Sequence, residues 1–460
     1  MRIPRAALAA SFLFLALAPS ARSQDSHYWT NQYGTRATLL GGAVIGSVLD
    51  LSGTFYNPGG MSLLAKPETL MAANVFRFSR VTLAGNDQKS VPLNNPNPRP
   101  AASIIAGSVR VRGLEKHWFG YSYLARQDVE IGVSLCSAGA RDILPDRPGP
   151  EDYATQFRLD EKVSERWLGL TWSYRIGPRL GFGVTQYLAI RSHRANLQEL
   201  VETLDAEGRI AMASGARQYQ YRHFRTLWKI GLAADFERIT LGITLTTPSL
   251  SLGGAGSTGV NATVVALDMD GDGEPDDHLA ADYRDRLPVF YRSPISVAAG
   301  VTYKIDKVRV YWSAEWFAGV PLYTVVDAPG FFAQSTGEPL STDVTQELGS
   351  VFNLGVGLEW LYSSRFKGYA SFTTDYSAKR SGPATGTSLT DWNILHFVTG
   401  AEFFIRKTAL TIGVGYAFGN QEVGRRLDLF DLGEIDGWWD PHGGLKFRYA
   451  NYMLVLGLAF

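Results

Sequence analysis

The chain has 460 residues with 44 basic and 44 acidic side chains, 48 glycines, 24 Phe, 21 Tyr, 11 Trp and one cysteine, Cys136. Disorder needs low hydrophobicity and high net charge, so this composition excludes it, and a zero balance argues against a nucleic-acid binder, which displaces counterions with a basic surface. A single cysteine excludes an intramolecular disulfide framework and a cysteine-based metal knuckle.

Arg2 and Arg5 precede an apolar run from Ala6 to Ala18, followed by Pro19, Ser20 and Ala21-Arg22-Ser23. A charged start, a short apolar run and a small-x-small site make residues 1–23 a signal peptide, cleaved after Ser23. The run is shorter than the about 20 residues a spanning helix needs. Gln24, not Cys, follows the cut, so there is no lipoprotein site. Cleavage removes three arginines and leaves 41 basic against 44 acidic groups, a net charge of about −3. The mature chain is expected to be exported. The low-charge stretch from Ala37 to Ala65 is broken by Asp50, Pro58 and repeated glycines, so no second segment reads as a membrane helix. Only helices and closed barrels satisfy every backbone group in lipid, so a membrane location implies a barrel.

From residue 71 onward the dominant signal has period two. Leu168, Leu170, Trp172, Tyr174 and Ile176 alternate with Gly169, Thr171, Ser173 and Arg175. Similar runs are Ile239 to Leu245, Phe352 to Trp360 and Leu410 to Phe418. A soluble sheet would carry Lys, Glu and Arg in quantity on its second face; here that face is mostly Gly, Thr, Ser and Asn. Runs of about 10 residues or more suit tilted membrane strands and exceed the usual soluble length of about 5–6. Strands are expected near 71–83, 102–112, 117–135, 153–176, 179–195, 215–235, 238–250, 290–304, 307–320, 346–362, 366–377, 391–405, 408–419 and 445–460. Links after the even-numbered strands are tiny, such as Gly177-Pro178 and Ile305-Asp306. Those after the odd-numbered ones run from about a dozen to about 40 residues. Short turns on one side, long loops on the other and an even strand count form the pattern of a bacterial outer-membrane barrel with both termini in the periplasm. Tyr452, Leu454, Leu456, Leu458 and Phe460 end the chain on alternating apolar positions, as in the C-terminal signal read by the barrel-assembly machinery. The expected fold is all-β, a 14-stranded antiparallel transmembrane barrel over residues 71–460.

Fourteen strands enclose more space than their own side chains fill. Residues 24–70, too long for a tail and too apolar for periplasmic water, are the natural plug. They contain Gly34, Arg36 and Ala37, then Gly41-Gly42-Ala43, Asp50, and Asn57-Pro58-Gly59-Gly60. This pattern resembles the FadL/TodX group of outer-membrane transporters for hydrophobic compounds, whose hatch reads G-x-R-A…G-G-A…D…N-P-A-G. Gly59 replaces the Ala after Asn-Pro, a small-for-small departure. The resemblance implies an N-terminal hatch inside a 14-stranded barrel, with Gly41, Gly42, Asp50, Asn57, Pro58, Gly59 and Gly60 at the gate. On the residues alone, Asn-Pro-Gly-Gly is a turn signal on any fold.

Strand parity turns Lys229, Arg309, Glu315, Glu359 and Glu402 toward the lumen. Their mixed signs suit ion pairs in a wet interior; a basic residue holding a carboxylate head group is the functional alternative. Asp268, Asp270, Asp272 and Gly273 stand at positions 1, 3, 5 and 6 of an EF-hand-like loop, with Glu274 and Asp276 as further oxygen donors. Leu279 at position 12 lacks the closing carboxylate, and a solvated acidic loop is the alternative to Ca²⁺. The seven histidines show no H-E-x-x-H spacing, and no nucleophile elbow or nucleotide loop is present, so no enzyme activity is expected.

The expected function is passive, hatch-gated uptake of hydrophobic small molecules, fatty-acid-like or aromatic, across the bacterial outer membrane. The expected partners are that ligand, outer-membrane lipid and the assembly machinery, with the barrel a monomer. The alternative is a binding platform or secretion shuttle of the PorV type, since the fold does not fix the cargo. A general diffusion porin ranks third, because residues 24–70 would obstruct open flow.

Overall fold

The computed structural model describes residues 27–47, 50–64, 69–70, 74–84, 91–94, 99–102, 104–109, 111–141, 149–267, 274–378, 392–405, 408–423 and 445–459. The expected leader, 1–23, lies outside the described residues.

Antiparallel strands dominate the chain beyond residue 69. β1 (Thr69–Leu70) and β2 (Asn74–Ala84) pair with β3 (Val91–Asn94), β4 (Arg99–Ala102) and β5 (Ile104–Val109). β5 pairs with β6 (His117–Arg141), and the sheet continues in sequence order through β7 (Glu151–Arg175), β8 (Leu180–Leu204) and β9 (Ile210–Asp235). β10 (Ile239–Thr246) pairs with the C-terminal end of β9, residues 229–235, while β11 (Leu250–Leu267) pairs with residues 212–226 of β9 and carries β12 (Asp276–Pro288) as a hairpin. The wall resumes at β13 (Ser296–Ile305), paired with β10, and β14 (Val308–Phe317). An insertion carries β15 (Val320–Val326), β16 (Phe331–Phe332), β17 (Pro339–Leu340) and β18 (Val344–Leu348), which pair only among themselves as named strands. β19 (Val351–Ser363), β20 (Phe366–Asp375), β21 (Ile394–Ile405), β22 (Thr408–Val423) and β23 (Leu445–Ala459) complete the sheet. The last strand, β23, pairs with β2, from Asn74↔Leu456 to Ala84↔Lys446.

The alternation explains which face is which. On β7, Leu170 is 70% exposed, whereas its neighbour Thr171 is 3% exposed. The large apolar residues therefore face outward and the small polar ones inward, the reverse of a soluble sheet. Among the described residues no helix is long and apolar enough to cross a membrane. Aromatic side chains cluster near both ends of the outer apolar band. Trp316 and Phe352 are opposed across β14 and β19 at one end. Trp360, Tyr362, Phe366 and Phe403 touch in series at the other.

Two features differ from the expectation. Strands β6, β7 and β8 run 25 residues each and β9 runs 26. The link expected over 196–214 is mostly strand, closed by a turn in which Asp205 Oδ1 accepts from the Glu207 and Arg209 amides. Polar residues on both faces hid this extension from a hydropathy reading. The loop after the seventh expected strand is likewise the β11–β12 hairpin. Above the short strands, the 318–350 insertion folds over and buries Val325, Val326 and Val344 with Ala195, Tyr219 and Tyr221 of the tall wall.

Residues 27–64 pack on the inner face. They form α1 (Thr35–Leu39), α2 (Gly53–Tyr56) and a 3-10 helix, Pro58–Leu63. Tyr33, Leu39, Leu40, Leu51 and Met61 are buried there with Tyr187, Leu227 and Tyr311 of the wall.

Candidate functional site

Asn57 holds the centre of this inner segment. Its Nδ2 donates to the Ile45 carbonyl at 3.0 Å and to the Leu232 carbonyl of β9 at 2.9 Å. Its Oδ1 accepts from the Gly59 amide at 3.1 Å, capping the 3-10 helix that Pro58 opens. Asn-Pro-Gly-Gly is therefore a turn that also bolts the segment to the wall. Gly59 has no room for a side chain: a Cβ there would lie 2.6 Å from the Gly231 carbonyl oxygen and 2.7 Å from that of Gly181. Gly60 donates its amide to the Asn57 carbonyl. Gly41 and Gly42 take φ of +61° and +75°, a turn that favours glycine. The Gly41 carbonyl accepts from Thr373 Oγ1 of β20 at 2.9 Å. Asp50 Oδ1 accepts from the Ser52 amide at the approach to α2.

Facing these residues, the wall is glycine too. Gly183, Gly231 and Gly242 meet the backbone or Asn57 of the inner segment, and Gly300 meets Gly46. On the other side Leu39 packs against Gly400 and Gly413, and Thr35 against Gly457. The small-residue face of the sequence is thus a close-approach surface.

The five inward candidates fall into two groups. Lys229 Nζ lies 3.9 Å from Glu315 Oε1 and 4.3 Å from the Phe55 ring centroid. Glu315 also accepts from Trp29 Nε1 at 2.8 Å and Ser296 Oγ at 2.7 Å. Elsewhere Glu359 accepts from Arg36 at 3.0 Å, Arg309 at 3.3 Å and Tyr311 at 2.6 Å. Tyr369 bridges Glu359 to Glu402, which pairs with Lys367 at 2.9 Å. Both groups tie residues of the inner segment to the wall.

Beside the first group lies a cavity of about 50 Å³, enough for a few waters. Its apolar lining is Tyr28 and Phe55 of the inner segment with Trp167, Leu227, Tyr291 and Phe317 of the wall. Arg126 reaches it too. Its guanidinium sits 5.5 Å from the ring centroids of both Phe55 and Trp167. No carboxylate lies within 4 Å of it among the described residues. Arg126 occupies a bulge: Ala125 pairs with Arg166 and Gln127 with Glu165, leaving it between registers. Asn31 Nδ2 donates to the Ala125 and Arg126 carbonyls, at 3.0 Å each. Above the cavity, Glu165 binds Arg191 at 3.0 Å and Arg225 at 2.6 Å, and Tyr291 lies under both cations. Sequence reading missed Arg126, Glu165, Arg191 and Arg225. Only the bulge and the register bring them together.

Asp268, Asp270 and Asp272 lie outside the described residues. Glu274 is exposed and Asp276 opens β12 opposite Leu267. Among the described residues no group of three or more His, Cys, Asp or Glu is placed to hold a metal.

An antiparallel wall with its apolar face outward, packed on an N-terminal segment, is a fold that this chain shares with solved structures of toluene transporters. The chain is similar to the toluene transporter TodX of Pseudomonas putida, at 13% identity over 94% of this chain and 99% of that one, with a TM-score of 0.56. A FadL homologue of Pseudomonas aeruginosa gives 12% identity, 94% and 99% coverage and a TM-score of 0.53. The toluene transporter TbuX of Ralstonia pickettii gives 12%, 93% and 98%, and 0.50. The shared feature is the fold. No protein-family model and no curated protein matches the sequence.

Proposed function

We propose that this protein is a passive outer-membrane transporter for hydrophobic small molecules, a closed 14-stranded barrel gated by an N-terminal hatch over residues 24–70, with both termini in the periplasm. Pairing of β23 with β2 supports closure. Counting β1 with β2 and β3 to β5 as single interrupted strands, and setting aside the β11–β12 hairpin and the insertion, leaves 14 strands in the ring. The names of similar structures, toluene transporters among them, support the solute class.

The observation that carries the reading is the aromatic cavity lined jointly by the hatch's own Tyr28 and Phe55 and by the wall. A solute enters it by displacing those rings, so binding and hatch movement are one event. Arg126, without a carboxylate of its own, suits a solute with an anionic or electron-rich end. Ca²⁺ at Asp268, Asp270 and Asp272, completed by Glu274 and Asp276, would order the outer loop beside the entrance.

Mass spectrometry of the purified barrel tests the cargo: a co-purified lipophile is expected, and a stably bound protein over an empty interior would favour the secretion-shuttle alternative. Deleting residues 25–60 should raise single-channel conductance in planar bilayers. Unchanged conductance would refute the plug.

A further inference from the structure

The outer face of the tall wall carries a group of exposed cations. On β7, β8 and β9 the outward apolar run from the short turns stops at Leu168, Ile190 and Phe224, about 7 to 11 residues from the strand ends, close to the length of a tilted membrane strand. Beyond them on the same face stand Arg222, two residues past Phe224, Arg194, four past Ile190, and Lys162, six past Leu168, all exposed. The register sets Lys162 directly opposite Arg194, and Ser192 opposite Arg222, so Arg194 and Arg222 are diagonal neighbours. Like charges opposed across strands destabilise a sheet.

The nearby carboxylates pair with Lys162 and with neighbours of the two arginines. Glu130 is 3.2 Å from Lys162, Asp128 binds Arg166, and Asp160 binds Arg158 at 2.7 Å. Arg194 and Arg222 have no carboxylate within 4 Å among the described residues. Below them Leu188, Phe224, Leu250 and Leu252 form an exposed apolar shelf, the two leucines 57% and 59% exposed. At the corresponding end of the short strands the outer face shows Trp316 and Phe352 instead.

We propose that Arg194 and Arg222, with Lys162 beside them, bind the phosphate groups of an anionic lipid in the outer leaflet, whose acyl chains lie on Leu188, Phe224, Leu250 and Leu252. This rests on the reading of the sheet as a membrane-spanning wall. Three points favour such a lipid. The cations sit at headgroup height, they stand directly over apolar surface, and two of them are arginines, whose planar fork grips phosphate bidentately. An anion there also offsets the repulsion between the diagonal neighbours Arg194 and Arg222.

Native mass spectrometry of the full mature chain in detergent, titrated with lipid A, dephosphorylated lipid A or phosphatidylcholine, tests this. Each basic residue near a charged lipid surface contributes about a factor of five, so the R194Q/R222Q double variant should bind lipid A about 25-fold more weakly than wild type. Wild type should bind dephosphorylated lipid A and phosphatidylcholine no better than the double variant binds lipid A. R158Q, which removes an arginine already paired with Asp160, should bind like wild type. Equal binding by wild type and the double variant overturns the site, as does equal binding of the phosphorylated and dephosphorylated lipid. Heat-dependent migration of every variant on gels is read in parallel. A wild-type chain that never inserts into vesicles overturns the spanning reading itself, an outcome distinct from a barrel that inserts without selecting phosphate.

Discussion

The two halves of the wall solve the same problem differently. Strands β13, β14 and β20 are 10 residues long, about what a tilted crossing needs, and the chain leaves β14 to form the 318–350 insertion. Strands β6 to β9 continue far past that height, and the insertion leans on their inner face. Strand length beyond the short side's height thus depends on what the strand has to pack against. The polar contacts show the same division. On the tall side Arg191, Arg225 and Glu165 are almost fully buried; on the short side Lys367 is 19% exposed beside Glu402.

That contrast can be broken by removing one carboxylate on each side. Glu165→Ala leaves two buried guanidiniums without their shared partner and should cost about 3–5 kcal/mol. Glu402→Ala removes the partner of a Lys367 that still reaches solvent and of the Tyr369 hydroxyl, and should cost less, about 1–3 kcal/mol. The midpoint of thermal unfolding, read by gel migration, measures both, and equal losses would dissolve the distinction.

The hatch touches both halves, and Asn57→Ala tests how firmly. Two carbonyls, Ile45 and Leu232, lose their donor, which should loosen the hatch by about 2 kcal/mol. Faster amide exchange across residues 50–64 with little change in the wall is expected; uniform exchange would mean that hatch and wall open together.

A smaller effect sharpens the picture of the tall extension. Burial pushes the Glu199 carboxyl up to about 8. The folded chain therefore keeps a proton that the unfolded chain releases near 4.5. Stability of the extension is fullest below 4.5, falls as pH rises from there to about 8, and is level above. Glu199→Gln should flatten that profile, measured as amide protection of residues 196–204. A profile unchanged by the substitution would assign the pH dependence elsewhere.

The smallest effect belongs to the acidic loop. Calorimetry should show Ca²⁺ binding to wild type with affinity near about 10⁻⁴–10⁻³ M and none to Asp270→Ala. Identical titrations would leave the loop a solvated acidic surface.

Most strands were legible because a residue such as Leu170 faces outward while Thr171 faces inward, and period two records that directly. The extension was not legible: Asn196, Gln198, Glu199 and Glu202 are polar whichever way they point, so hydropathy carries no parity there. Lys229, Arg309, Glu315, Glu359 and Glu402 were placed inward by parity. Their partners come from distant strands, and Arg36 and Trp29 come from the inner segment. Arg126 fell outside the reading because a bulge shifts the phase at one residue, and nothing local to Ala125-Arg126-Gln127 marks it.

The glycines of wall and hatch have one more consequence. Backbone lies against backbone at Gly59 with Gly181 and Gly231, while Leu39 and Thr35 meet Gly400, Gly413 and Gly457 on strands from the other end of the chain. The hatch is therefore a gauge block that fixes how far apart first-made and last-made strands stand. A single methyl added at Gly231 would collide with Asn57 and Pro58, and the tolerance of this protein to change is narrowest where its side chains are smallest.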